Sequence, residues 1–252
     1  MALARLKKYV AKRDFTRTAE PSGEGKSLTR GRRYLIQKHA ASHLHYDFRL
    51  EHDGVLLSWA IPKGPSMDPA DKRLAVHVED HPVAYGDFEG TIPKGQYGGG
   101  TVMLWDIGQW APLGDVNESM RKGDLKFAVL GERLKGGFAL VRLKNRNNRY
   151  GGKGDNWLLI KEKDPYARPG GKPVTERNLR SAKTGRTMDE IARGNEVWHS
   201  NRGDSDTDKK PVRKGAAKAA KPLARRAAKK SAVKRKTPTR SAAKKKKARR
   251  PR

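Results

Sequence analysis

Residues 37–54, QKHAASHLHYDFRLEHDG, carry four histidines, two aspartates and an arginine. In an extended strand, side chains two residues apart share a face. His45, Asp47, Arg49 and Glu51 then point one way, and Tyr46, Phe48 and Leu50 point the other way, into a core. A solvated sheet face would also carry such polar residues. His-x-Asp, however, sets an imidazole beside a carboxylate, which is the N/O donor pair a divalent metal takes. A third donor is needed. His39 lies six residues earlier, across one short turn. His81, in VEDHPVAYGDFEG, is the other candidate. His43 has the right parity but equally suits a loop.

The elements that must hold these residues are short and rich in β-formers. RYLIQK, HYDFRLE, VLLSWAI, RLAVHVE, TVMLWDI, LKFAVL, GFALVRLK and NWLLIKE are separated by Gly, Pro, Asp and Asn. Many short strands without long amphipathic helices predict a mainly β fold, a compact antiparallel barrel with short peripheral helices. Asp53-Gly54 is a hairpin signal, and GERLKGG is a second candidate. Residues 1–164 form the predicted domain, with 1–32 as an arm. Residues 165–208 read as a linker with a short helix, for which Thr187 and Glu190 have capping-box spacing and Gly194 suits the stop. KGQYGGGTV lacks the Gly-Lys-Ser/Thr ending of a phosphate loop, so Gly98, Gly99 and Gly100 are expected in a tight turn or bulge. Trp59, Trp105, Trp110 and Trp157 sit in apolar runs and are expected in the core.

The chain has 252 residues and a formal net charge of +30. Residues 209–252 contain 21 Lys or Arg and no Asp or Glu, which leaves about +9 for residues 1–208. A single-sign block repels itself and is expected to stay disordered until it meets a polyanion. It has no aromatic residue, so backbone phosphates rather than stacked bases are its natural partner. The absence of cysteine excludes disulfides, thiolate zinc sites and a cysteine nucleophile, and fits a reducing cytoplasm. No run approaches the roughly 18 apolar residues of a membrane span. The expected location is cytoplasmic and nucleoid-associated, with no membrane partner.

Three segments carry a resemblance: QKHAASHLHYDFRLEHDGVLLSWAIPKGPS, RLAVHVEDHPVAYGDFEGTIPKGQYGGGTVMLWD and WLLIKEKD. Together, over about residues 6–164, they resemble the 3′-phosphoesterase module of the bacterial end-joining DNA ligase D. The resemblance implies a manganese-dependent β-barrel that removes 3′-phosphates and 3′-terminal ribonucleosides from DNA or RNA-terminated DNA ends, leaving a 3′-hydroxyl. It implies His39, His45 and Asp47 as metal ligands, with other divalent ions able to substitute. His81 becomes a phosphate-contacting or acid–base residue, with Tyr85 four residues on. Arg49, Lys63 and Arg73 become the phosphate clamp. Arg13, Asp14 and Glu20 are implied chiefly in ribonucleoside removal.

The chemistry is consistent with these assignments. A divalent cation and fixed Arg or Lys donors neutralise charge that develops during phosphoryl transfer. Arg matches phosphate oxygens bidentately, and a histidine can protonate a leaving oxygen near neutral pH. Taken singly, Arg49 would suit a strand surface pairing with Glu51 or Asp53, Lys63 a solvated turn, Arg73 an edge strand, and Tyr85 the core. The joint pattern favours a site. Two rival readings are a non-enzymatic nucleoid or DNA-end-binding protein, and a non-haem iron oxygenase using His45, Asp47 and His81. No Lys-x-Asp-Gly adenylation motif is present, so a stand-alone end-cleaning enzyme is expected. A Ku-like protein and a separate ligase or polymerase are its candidate partners.

Overall fold

The computed structural model describes residues 2–23, 31–144, 155–177 and 179–194. The chain divides into two units, Met1–Asp204 and Ser205–Arg252, and all described residues lie in the first. The basic stretch 209–252, with its expected disorder, lies outside the described residues, as do residues 195–208.

Each of the eight β-rich runs contributes a barrel strand. The strands are β1 (Arg33–Ala40), β2 (Leu44–His52), β3 (Val55–Ile61), β4 (Lys72–His77), the short β5 (His81–Pro82) and β6 (Gly90–Ile92), then β7 (Gly100–Pro112), β8 (Asp124–Gly131), β9 (Lys135–Arg142) and β10 (Asp155–Lys161). The pairing order is β1-β2-β3-β4-β10-β9-β8-β7, every pair is antiparallel, and β7 returns to β1. The result is a closed eight-stranded antiparallel barrel, as the sequence predicts. Closure leaves the ring without a free edge. β5 pairs with β3 and β6 with β7, outside the ring.

Asp53 and Gly54 join β2 to β3 with φ of 50° and 79°. Both residues are left-handed, as a two-residue hairpin matching the twist of its strands requires. GERLKGG likewise joins β8 to β9.

Alternating side chains build two cores rather than one. Inside the barrel, Ile36, Phe48, Trp59, Trp105, Phe138 and Trp157 are fully buried, and Trp110 packs in the same cluster. Outside it, a second layer covers the wall formed by β1, β2, β3 and β7. The arm contributes Leu6, which lies between two short helices, α1 (Ala2–Arg5) and α2 (Lys7–Ala11), and Tyr9 from α2. The 3-10 turn Val83–Asp87 contributes Tyr85, and Phe88 and Ile92 follow. These pack on Leu35, Val55, Leu56, Val102 and Leu104. β2 is therefore buried continuously from Tyr46 to Glu51. Its residue types alternate, but its exposure does not.

The remaining helices are α3 (Val116–Lys122), α4 (Val174–Arg177) and α5 (Met188–Arg193). The capping box of Thr187 and Glu190 starts α5, as its spacing predicts. The stretch read as a linker packs on the barrel as far as Gly194. Ile191 joins the interior cluster, and the Ala182 N–H donates to the Leu104 carbonyl at 2.8 Å.

Candidate metal and phosphoester site

Strand register brings the chemistry-bearing residues onto the outward face of the barrel wall. His39 faces His45 and Gln37 faces Asp47 across β1 and β2, and Arg49 faces Ser58 across β2 and β3. One ligand atom each from His39, His45 and Asp47 lies within 4.8 Å of the others.

Local hydrogen bonds fix which ring nitrogens are bare. His39 Nε2 lies 2.8 Å from the Gly98 carbonyl, and His45 Nδ1 lies 2.9 Å from the His43 carbonyl. A carbonyl only accepts, so those nitrogens carry the protons of the neutral rings. The lone pairs of His39 Nδ1 and His45 Nε2 then face the two Asp47 oxygens at 3.7 and 3.6 Å. Three electron-rich atoms facing one another are a donor set that could hold a metal ion. Two imidazole nitrogens and one carboxylate oxygen fit manganese, iron or zinc. Gly98 belongs to the predicted tight turn, where its φ of 73° is left-handed.

Behind the ligands runs a buried polar chain. Arg49 is 2% exposed. It donates from Nη2 to Asp47 at 3.0 Å, from Nη1 to Ser58 at 2.7 Å and from Nε to Gln37 at 2.8 Å. Gln37 in turn donates to the carbonyls of Tyr85 and Phe88. Burial opposes the charge on Asp47. The Arg49 guanidinium counters it and holds this carboxyl well below the usual carboxylate range.

A second cluster comes from the arm. Arg13 donates from Nε to Glu20 at 2.8 Å, from Nη1 to the Tyr9 carbonyl at 3.1 Å and from Nη2 to His81 Nε2 at 3.2 Å. His81 Nδ1 donates to the Glu79 carbonyl at 2.8 Å. A guanidinium only donates, so His81 is neutral with its proton on Nδ1. Burial first, then the charges of Arg49 and Arg13, hold its pKa well below the ordinary histidine value. The Tyr85 ring bridges the clusters, 4.9 Å from the His81 ring and 4.9 Å from the Arg49 guanidinium carbon. Among the described residues its hydroxyl has no hydrogen-bond partner. Burial pushes the phenol pKa up, so it keeps its proton.

The structure therefore brings together His39, His45, Asp47 and Arg49, and beside them Arg13, Glu20, His81 and Tyr85. Asp14 is exposed and spends its carboxylate on the backbone and hydroxyl of Thr16. Lys63 is exposed in the turn after β3, and Arg73 bonds Asp71 at 2.7 Å. Among the described residues no hydrogen bond or ion pair joins Asp14, Lys63 or Arg73 to either cluster. His81 is not in the three-donor group, so the oxygenase triad of His45, Asp47 and His81 is not assembled: His39 is the third donor and Arg13 occupies His81 Nε2. Sequence reasoning did not single out Gln37, Ser58, Tyr9 or Glu79. Gln37 shares the parity of His39 and was reachable from it.

Residues 37–142 match the family described as the DNA Ligase D 3'-phosphoesterase domain. The multifunctional non-homologous end joining protein LigD of Pseudomonas aeruginosa is 56% identical over 165 residues, covering 65% of this chain and 19% of that protein. This stretch is similar in sequence to the phosphoesterase domain of LigD. LigD of Mycobacterium bovis is 40% identical over 161 residues, 64% of this chain and 20% of its own length. LigD of Mycolicibacterium smegmatis is 39% identical over 173 residues, 66% and 22%. The chain spans about a fifth of the length of the curated relatives it matches. The LigD-like module contains all three cluster ligands and Arg49, whereas Arg13 and Glu20 precede the family match.

Proposed function

We propose that the LigD-like module is a metal-dependent phosphoesterase that processes DNA 3′ ends, removing 3′-phosphates and 3′-terminal ribonucleosides to leave a 3′-hydroxyl for repair. The observation that carries this reading is the convergence of His39 Nδ1, His45 Nε2 and an Asp47 oxygen beside a nest of buried cations. Manganese is the proposed ion. Bound there, a divalent cation supplies charge that neutralises a phosphoryl oxygen.

The chain's own residues do the rest. After its three bonds, Arg49 keeps one N–H on each Nη, enough for a forked contact to phosphate. Tyr85 adds an unclaimed hydroxyl. His81 begins neutral. An arriving phosphate offsets the charges of Arg49 and Arg13 that keep its second proton off, and draws the Arg13 fork towards itself. His81 Nε2 can then take a proton and pass it to the leaving oxygen. Glu20 holds Arg13 in reach of both positions, which supports a positioning role for this pair. Lys63 is proposed to meet the substrate backbone at the exposed turn, and Arg73 to turn from Asp71 to phosphate. Asp14 is proposed to act on the ribonucleoside substrate. A Ku-like protein and a separate ligase or polymerase are the proposed partners, in a nucleoid-associated setting.

The test is a 5′-labelled primer-template ended in a 3′-phosphate or a ribonucleotide, incubated with and without manganese. Conversion to a 3′-hydroxyl should require the metal and stop on chelation. His45→Ala should lower phosphate release at least 100-fold while DNA retention is unchanged. Undiminished release by His45→Ala would remove the metal-site assignment. Retention without any release by the wild-type protein would favour the DNA-binding alternative.

A further inference from the structure

We propose that a cationic cleft at the barrel mouth is a second, non-catalytic site that takes the sugar-phosphate backbone of the nucleic acid whose end lies at the metal cluster. The proposal rests on the function proposed above and adds a binding surface to it.

The cleft encloses about 530 Å³. Arg133 and Lys135, at the β8–β9 turn, form one wall, and Tyr166, Arg168, Lys172 and Arg177 form the other. Glu132 is the one acid lining it. The arginines that are bonded use neutral partners. Arg133 donates to the carbonyls of Trp105 and Arg180, and Arg168 to those of Pro165 and Ala167. Lys135, Lys172 and Arg177 have no hydrogen bond or ion pair among the described residues. Five cations thus face one carboxylate. Where this part of the chain buries a cation for structure, it pairs it: Lys161, adjacent in fold, is bonded to Asp164. Unpaired cations held around a concave surface repel one another, and a polyanion relieves that repulsion with release of its counterions. Tyr166, 45% exposed, offers an aromatic face of the kind on which a base or sugar packs.

The cleft also lies where a bound strand would pass. His45 and Tyr46 are neighbours in β2. The first turns outward to the metal cluster, and the second turns inward. Gly64, with φ of 68°, closes the turn after β3, and a Cβ there would stand 2.6 Å from Thr175 Cγ2 and 2.9 Å from the Tyr46 ring. That close approach seats α4, which carries Arg177, against the barrel end bearing the metal ligands. Lys63 is exposed in the same turn. A nucleic-acid strand leaving the cluster over Lys63 meets the cleft next.

The chain has no cysteine, so a single introduced thiol is a unique reporter. In the full chain, alkylation of Lys172→Cys should slow several-fold when a 3′-phosphorylated oligonucleotide is added. Lys122→Cys, on the exposed surface of α3, should react at an unchanged rate. Lys172→Ala with Arg177→Ala should raise KM for the oligonucleotide several-fold and reduce the salt slope of binding by about one to two. Turnover of a small aryl phosphate should not change. Equal alkylation of Lys172→Cys with and without oligonucleotide would overturn the proposal. So would equal protection at both positions, or full protection by inorganic pyrophosphate alone. Thiol protection does not depend on turnover, so protection of Lys172→Cys by the oligonucleotide, with no phosphate released by the wild-type protein, fails the enzyme reading without failing this test.

Discussion

His39 and His45 are poised as ligands because neighbouring carbonyls hold their other nitrogens, and Asp47 is poised because Arg49 holds it. Gln37 is the hinge pin of that support: it receives Arg49 Nε and donates to two carbonyls of the overlying turn. Gln37→Leu removes the acceptor of the buried Arg49 Nε and one donor from each of the two carbonyls. It should cost about 2 kcal/mol in urea unfolding and lower kcat more than it raises KM. The buried histidines set a pH dependence. His81 and His77 both have depressed pKa values, chiefly from burial, with Asp155 opposing the shift at His77. Unfolded, each imidazole takes a proton near pH 6.5. Below that value the unfolded chain binds more protons than the folded one, so the folded state loses stability as pH falls and keeps it in full above. The Tm measured from pH 8 to pH 5 should fall below about pH 6.5, and Asn at both positions should flatten the decline. At this scale the sequence was partly legible. Strand parity alone places His45, Asp47 and Arg49 on one face, and leaves His39 and His81 as alternatives for the third donor. Ser58 was hidden because its role depends on the β2–β3 register, and Tyr9 because nothing in a polar arm announces a fully buried ring.

The eight apolar runs and the Asp53-Gly54 turn were readable as elements because period-two patterning and turn chemistry are local. Which strands close the ring was not, since the β1–β7 seam joins residues some 70 apart in sequence and carries a register shift between Ile36 and Gln37. That seam also needs a small residue. A Cβ on Gly100 would stand 2.3 Å from the Ala40 carbonyl oxygen, one residue past His39. Gly100→Ala should force the seam apart, destabilising the protein by more than Gly54→Ala, for which left-handed backbone strain costs about 1 kcal/mol. Urea unfolding of the two variants gives the comparison, and manganese titration should show weakened binding for Gly100→Ala alone. The sequence likewise suggested a linker after residue 164. Its polar composition hid anchors such as Ile191, the Ala182 N–H and the Thr184 hydroxyl on Glu89 that bind it to the barrel.

For the whole molecule, charge and fold divide the work. The barrel carries the candidate metal cluster, while residues 209–252 concentrate 21 of the 57 cations. Deleting 209–252 should weaken association with DNA and flatten its salt dependence, with hydrolysis of a small phosphoester preserved. Filter binding from 50 to 200 mM salt, alongside small-substrate turnover, measures both; collapse of turnover would show that the stretch belongs to the fold. The two-sided barrel wall has a further consequence. Had the β1–β2 hairpin zipped one position out of step, imidazoles would enter the oily lumen and aromatic rings would meet the arm's cations. Such a molecule would forfeit cohesion and catalysis in the same event. Misassembled copies should therefore unravel rather than persist as inert decoys, so folding itself proofreads the catalytic centre.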